Sequence, residues 1–201
     1  MHSTPDDVRR CPWAGGSDDY IRYHDEEWGV PVTDDVAYFE RLTFEAFQSG
    51  LAWITVMRKR PAFRAAFADF DPVRVSAFGD ADVARLLADP GIIRNRAKVL
   101  ATITNARALR DLWDREGEGA LTRIMADHAP AEADLVREGF RRPPAEPGDV
   151  PTQCAASRAL ATVLKARGFA FVGPTTLYAG MQANGLVDDH LVGCFRRGAP
   201  E

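Results

Sequence analysis

Two cysteines and two histidines stand where they could hold a metal ion: Cys11 and His24 early in the chain, His190 and Cys194 late. Thiolate sulfur and neutral imidazole suit zinc, which prefers four such ligands in a tetrahedron. In His190-Leu191-Val192-Gly193-Cys194 the two side chains are four residues apart, which on a helix brings both to one face. The other pair lies more than 160 residues earlier, so a four-ligand site would join the two ends of the sequence. Spacing alone leaves a second reading open, in which each of the four is an ordinary core or surface side chain. Cys154, His2 and His128 show no matching ligand spacing.

Glu45 is the other residue with chemical promise. It sits in Phe44-Glu45-Ala46-Phe47, and a carboxylate buried there without a partner is costly, so it faces solvent or serves a site. Trp53 lies eight residues on, across a Ser49-Gly50-Leu51 turn, so both could face one pocket. Trp13, Tyr20, Tyr23 and Trp28 cluster near Cys11 and His24. Large aromatics stack on nucleobases and also fill cores.

The elements that must position these residues read as helices. From Asp34 to Gln48 the apolar positions Val36, Phe39, Leu42, Phe44, Ala46 and Phe47 predict a buried helix, capped at Asp34 or Asp35 and stopped at Gly50. A helix with Trp53, Ile54, Val56 and Met57 follows, interrupted at Pro61. Short helices are expected from Pro72 and over 81–88, a long one over about 94–115, and two more over 155–166 and 175–183. Between the last two, Gly168-Phe169-Ala170-Phe171-Val172-Gly173-Pro174 forms an apolar hairpin. A Pro-opened helix start leaves free N–H groups and a positive dipole end, suited to phosphate, although a plain helical corner fits equally. The segment 130–151 is rich in Pro and reads as a loop or lobe boundary. The fold class expected is all-α.

At 201 residues the chain suits a single domain, read here as 9–195 in two helical lobes, with a flexible segment 1–8 and a tail 196–201. Apolar runs are short and broken by charge, which excludes a membrane span. The acidic start lacks a secretory signal, and three cysteines then point to the cytoplasm. A net charge of −4 argues against bulk coating of nucleic acid, but local basic clusters exist at Arg58-Lys59-Arg60, at Arg94, Arg96 and Lys98, and at Lys165 and Arg167.

Several blocks in order resemble the bacterial 3-methyladenine DNA glycosylase I family: Arg10-Cys11-Pro12-Trp13, Tyr23-His24-Asp25-Glu26-Glu27-Trp28-Gly29-Val30-Pro31, 45–56, 91–98, 167–173, and Met181-Gln182-Ala183 with 185–190. The resemblance implies a helix-hairpin-helix fold and removal of N3-methylated adenine from double-stranded DNA by hydrolysis of its glycosidic bond. It implies that Cys11, His24, His190 and Cys194 hold a structural zinc, closed to water because all four positions are filled. Glu45 and Tyr23 would hydrogen-bond a flipped base, with Glu45 also positioning or activating water, and Trp13 and Trp53 would wall it. Leu51 would be the wedge, with Gln48 nearby, and the Gly168–Gly173 hairpin would hold the DNA backbone. A monomer acting on one duplex is expected. Three departures bear on the pocket: Ala46 where the family often has Gly, and Ala179 and Gly180 where it has a hydroxyl and an aromatic. Asp188 lies where the wider superfamily often places a catalytic Asp. A zinc-stapled protein that binds damaged DNA without cutting it, and a metallohydrolase of a small molecule, are the competing readings.

Overall fold

In the computed structural model residues 8–198 are described, so the flexible segment expected over 1–8 lies outside them except for Val8, as do residues 199–201 of the expected tail. Among the described residues the regular structure is entirely helical. In order the helices are α1 (Asp18–Glu26), α2 (Asp35–Gln48), α3 (Trp53–Met57), α4 (Arg60–Ala66), α5 (Pro72–Ser76), α6 (Asp80–Ala88), α7 (Arg96–Glu116), α8 (Ala120–Asp127), α9 (Glu132–Arg137), α10 (Ala155–Ala166) and α11 (Pro174–Ala183).

Local signals start and stop most of them. Asp34 caps α2 by accepting a hydrogen bond from the Ala37 N–H at 2.8 Å, and Asn95 caps α7 by accepting from the Lys98 N–H. Gly50, just past α2, has φ +83°, a left-handed conformation that only glycine adopts without strain. Helices α1, α8 and α9 were not expected from periodicity. They are short, and α1 (DDYIRYHDE) carries too few apolar residues to print a stripe. Its readable mark is Ser17, whose hydroxyl accepts from the Tyr20 N–H. Helix α9 lies within the Pro-rich segment 130–151, read as a loop or lobe boundary.

One contiguous apolar core runs from Tyr38 to Val187. Helix α7 crosses it with Val99, Ile103, Ala106, Leu109 and Leu112 buried, and α2 lays Phe39, Phe44 and Phe47 against Phe63, Phe67 and Phe70. Burial of such side chains contributes roughly 1.5–3 kcal/mol each, which offsets the left-handed backbone at Ala68, Asp69 and Phe70. A second, smaller apolar cluster joins Cys11, Leu191 and Cys194, with Val150 against it. Part of the expected tail belongs to this region: Arg197 Nη1 donates to the carbonyls of Asp188 and His190 at 3.0 and 2.9 Å.

Candidate active site and metal centre

The early and late segments meet at Cys11, His24, His190 and Cys194, all buried, with ligand atoms within 4.8 Å of one another. His24 comes from the last turn of α1, Cys11 from the residue before a single turn at 12–14, and the other two from the loop after α11. His190 and Cys194 therefore converge from a loop, not from the helix face the spacing allowed. Cys194 Sγ lies 3.3 Å from His24 Nε2 and 3.5 Å from His190 Nδ1, and Cys11 Sγ lies 3.7 Å from His190 Nδ1. A tetrahedron with metal–sulfur bonds of about 2.3 Å and metal–nitrogen bonds of about 2.0–2.1 Å has S···N edges of about 3.6 Å, so the cluster has the size of a metal site.

The surroundings orient the ligands. His24 Nδ1 pairs with Asp25 Oδ1 at 2.8 Å, and Arg10 grips the same carboxylate through Nε and Nη2 at 2.7–2.9 Å. That chain presents Nε2 of His24 to the centre and fixes its tautomer. The Trp28 backbone beside the His190 ring favours its protonated form, the smallest of the influences on it. Gly29, at φ +81°, lets the ring approach, since a Cβ there would lie 3.1 Å from His190 Nε2. Burial lowers both imidazoles, His190 to about 4, which keeps them neutral as ligands must be. Burial also pushes the Cys11 thiol up to about 12, a cost that a bound cation would reverse. Cys154 is buried elsewhere, at the start of α10, and His128 Nδ1 bonds the Ile124 carbonyl. His2 lies outside the described residues.

Beside this centre is a cavity of about 540 Å³. It brings together Trp13, Tyr23, Glu45, Gln48, Leu51 and Trp53, all singled out in the sequence. Glu45 projects from α2 into it. Burial raises its carboxyl to about 8, opposed only by the Arg41 charge, and it accepts no hydrogen bond among the described residues. The Tyr23 ring lies 5.2 Å from the Trp53 ring and 6.2 Å from that of Trp13. Burial pushes the Tyr23 hydroxyl up, with the Glu45 charge adding to it, so Tyr23 stays a proton donor. Trp53 Nε1 is buried with no partner among the described residues. Leu51 stands at the rim with 40% of its surface exposed.

Tyr20 and Trp28, of the early aromatic cluster, line it too, and sequence reasoning left out Gln182, Asp189, Leu191, and Pro147 and Val150 from the Pro-rich connection. Asp188 does not line the cavity. Its carboxylate accepts from the N–H groups of His190 and Gly198 at 3.0 Å, which fastens the loop of the metal centre. Asp189 does line it, yet its charge is already committed to Arg142, the Tyr178 hydroxyl and Gln182 Nε2. Of the departures, Ala179 faces the cavity, whereas Ala46 is buried outside its lining. Gly180 packs on α2, where a Cβ would come within 3.1 Å of Leu42 Cδ2.

The hairpin 168–173 lies outside this lining. Phe171 sits on it at φ +57° with 43% of its surface exposed, and the backbone before it is pinned by Asn105 from α7. Asn105 Nδ2 donates to the Ala170 carbonyl at 3.0 Å and its Oδ1 accepts from the Ala170 N–H at 2.7 Å. Gly173 has open space around it. Lys165, Arg94 and Arg96 are exposed and make no ion pair among the described residues.

An all-helical domain with an aromatic cavity holding one unpartnered carboxylate is the kind of structure that takes up a flat, cationic ring. The methyladenine glycosylase family model matches residues 13–197, and the chain belongs to that family. It is 45% identical over 191 residues to DNA-3-methyladenine glycosylase 1 of Escherichia coli, covering 93% of this chain and 96% of that protein. A crystal structure of a 3-methyladenine DNA glycosylase I is 43% identical, covers 94% of this chain and 100% of its own, and superposes with a TM-score of 0.84. A substituted 3-methyladenine DNA glycosylase I solved in complex with 3-methyladenine is 28% identical, with a TM-score of 0.82 over 96% of this chain and 98% of its own.

Proposed function

We propose that the protein is a DNA repair glycosylase that flips N3-methyladenine out of alkylated double-stranded DNA and hydrolyses its glycosidic bond. The observation that carries this reading is Glu45: a buried carboxyl, raised to about 8, with no hydrogen-bond partner and with aromatic rings around it. N3-alkylated adenine carries a positive charge. Its entry supplies the missing counter-charge and favours ionised Glu45, while π-faces of Trp13, Trp53 and Tyr23 attract the same cation. Neutral adenine gains little from either. Selectivity is then electrostatic.

The charged base is a ready leaving group. When the bond to the sugar breaks, the electron pair goes to the base, which departs neutral. Water adds to the sugar carbon and loses a proton. Glu45 recognises the base and positions that water, and Tyr23 donates to the ring. Leu51, with Gln48 beside it, fills the gap left by the flipped nucleotide, offsetting part of an unstacking cost of a few kcal/mol. The hairpin bounded by Gly168 and Gly173, flanked by unpaired cations, holds the backbone as a helix-hairpin-helix element, the protein working as a monomer of one domain over 9–195.

Cys11, His24, His190 and Cys194 are the ligands of one zinc ion. The donor set, the buried thiol and the Asp25 support of His24 fit that metal. With four protein ligands its role is structural, and the chemistry belongs to Glu45.

The test is incubation with methylated duplex DNA and chromatography of the released bases. Free 3-methyladenine is expected, with at least about a hundredfold slower release by Glu45→Gln. No release, with damaged DNA still bound, would leave a lesion-binding protein as the better account.

A further inference from the structure

Helix α7 carries Lys98, Thr102 and Asn105, three polar side chains buried on one face of a core helix, at 7%, 2% and 5% exposure. Spacings of four and seven residues stack them along one stripe, the outer two separated by two turns, about 10 Å. Burying such groups is costly unless each has a purpose in hydrogen bonding. Thr102 serves the helix itself, its hydroxyl bonding the Lys98 carbonyl at 3.0 Å. The outer two reach away from it. Lys98 Nζ donates to the carbonyls of Phe47 and Ser49 at 2.9 and 2.7 Å, which holds the end of α2 and the turn that presents Leu51. No carboxylate pairs with this ammonium among the described residues; the negative end of the α2 dipole takes that place. Asn105 makes its paired bonds to both backbone groups of Ala170 and so holds the hairpin. One rigid helix thus ties the wedge turn at one end of a stripe and the hairpin at the other.

We propose that Lys98 and Asn105 are positioning residues that fix the spacing between the Leu51 wedge and the 168–173 hairpin, so that both engage one duplex at once. This rests on the reading above that the turn and the hairpin grip DNA. Duplex geometry is fixed, so a wedge and a backbone grip out of step cannot both engage, and displacements of the order of an ångström are enough to slow a reaction greatly. The base cavity is lined by neither residue. Loss of either tie should therefore damage action on DNA and spare binding of the isolated base.

The experiment compares Lys98→Met, Asn105→Ala and the double variant with the wild type in two assays: tryptophan-fluorescence titration with free 3-methyladenine, and single-turnover excision from a methylated duplex. Each single variant is expected to bind the free base within about twofold of wild type and to lose about tenfold or more in the single-turnover excision rate at sub-saturating protein in excess of DNA. The double variant is expected to be no worse than the weaker single, because both ties hold one distance. Equal losses in both assays would make the residues ordinary core supports and overturn the proposal. So would wild-type behaviour in both, or strictly additive losses. If Asn105→Ala does not fold, Asn105→Ser, which keeps a hydroxyl for the Ala170 backbone, is measured in the same way. A wild-type protein that releases no base from the duplex would instead overturn the functional reading, which the wild-type arm of the excision assay shows separately.

Discussion

On the proposed mechanism Glu45 holds two opposed properties at once: it is the group the reaction needs and a burden on the fold. Its folded-state pKa, about 8, lies above the ordinary carboxylate value near 4.3. Between those values the unfolded chain is ionised while the folded protein keeps its proton, so stability falls as pH rises through that window and levels off above it. Glu45→Gln should remove this slope and be the more stable protein at pH 8, by on the order of a few kcal/mol, in urea titrations at several pH values. Activity should move the other way. In the wild type kcat/KM should climb with pH toward a plateau above about 8, as Glu45 ionises in the free enzyme, and in Glu45→Gln it should be flat. The oddness of this residue was legible in the sequence, since a carboxylate within Phe-Glu-Ala-Phe needs a reason. Gln182 and Asp189 were not legible as lining, because they reach the cavity through folding of segments far apart in the chain. Lys98 was read as one of a basic cluster with Arg94 and Arg96, and only those two face water. The sign of its burial was there to see: polar residues at 98, 102 and 105 repeat at helical spacing.

At the scale of elements, most helices opened by Asp, Asn or Pro were readable and two further along the chain were not. Helix α2 runs almost where its apolar pattern and Asp34 placed it, whereas α8 was missed although Leu121, Ile124 and Met125 give it a buried face, and α9, six residues long, buries only Leu135. What fixes α8 against α2 is a single buried carboxylate. Asp35 accepts from Trp113 Nε1 at 2.6 Å, from the Gly119 and Thr122 N–H groups at 2.9 and 2.7 Å, and from the Thr122 hydroxyl at 2.6 Å. Burial alone would raise its pKa, yet the bonds from Thr122 and Trp113 hold it below the usual carboxylate range. The stabilisation is therefore complete at neutral pH and is lost as pH falls through the folded value. Asp35→Ala should cost about 1.5–3 kcal/mol at pH 7, and the gap from wild type should narrow in acid, as denaturant melts at pH 7 and pH 3 will show.

For the whole molecule the decisive contact is between the early segment carrying Cys11 and His24 and the late one carrying His190 and Cys194. Closing a loop of that length costs about 4–5 kcal/mol of chain entropy, which a metal bound by both sides offsets. One zinc per chain is expected by elemental analysis. Stripping it with a strong chelator, or Cys194→Ala, should lower the melting temperature and abolish 3-methyladenine binding together, since Trp13, Asp189 and Leu191 are neighbours of the ligands in sequence and walls of the cavity. The same arrangement has a consequence in time. A chain growing on the ribosome exposes Cys11, Trp13 and His24 long before His190 and Cys194 are made, and a domain folds as a unit. The one apolar core includes Leu160, Leu164, Leu177 and Met181 from α10 and α11, so neither that core nor the cavity wall formed by Asp189 and Leu191 is complete until the late segment arrives. A nascent or prematurely ended chain thus lacks both part of the core and one wall of the cavity, and the two are completed together in a single late event.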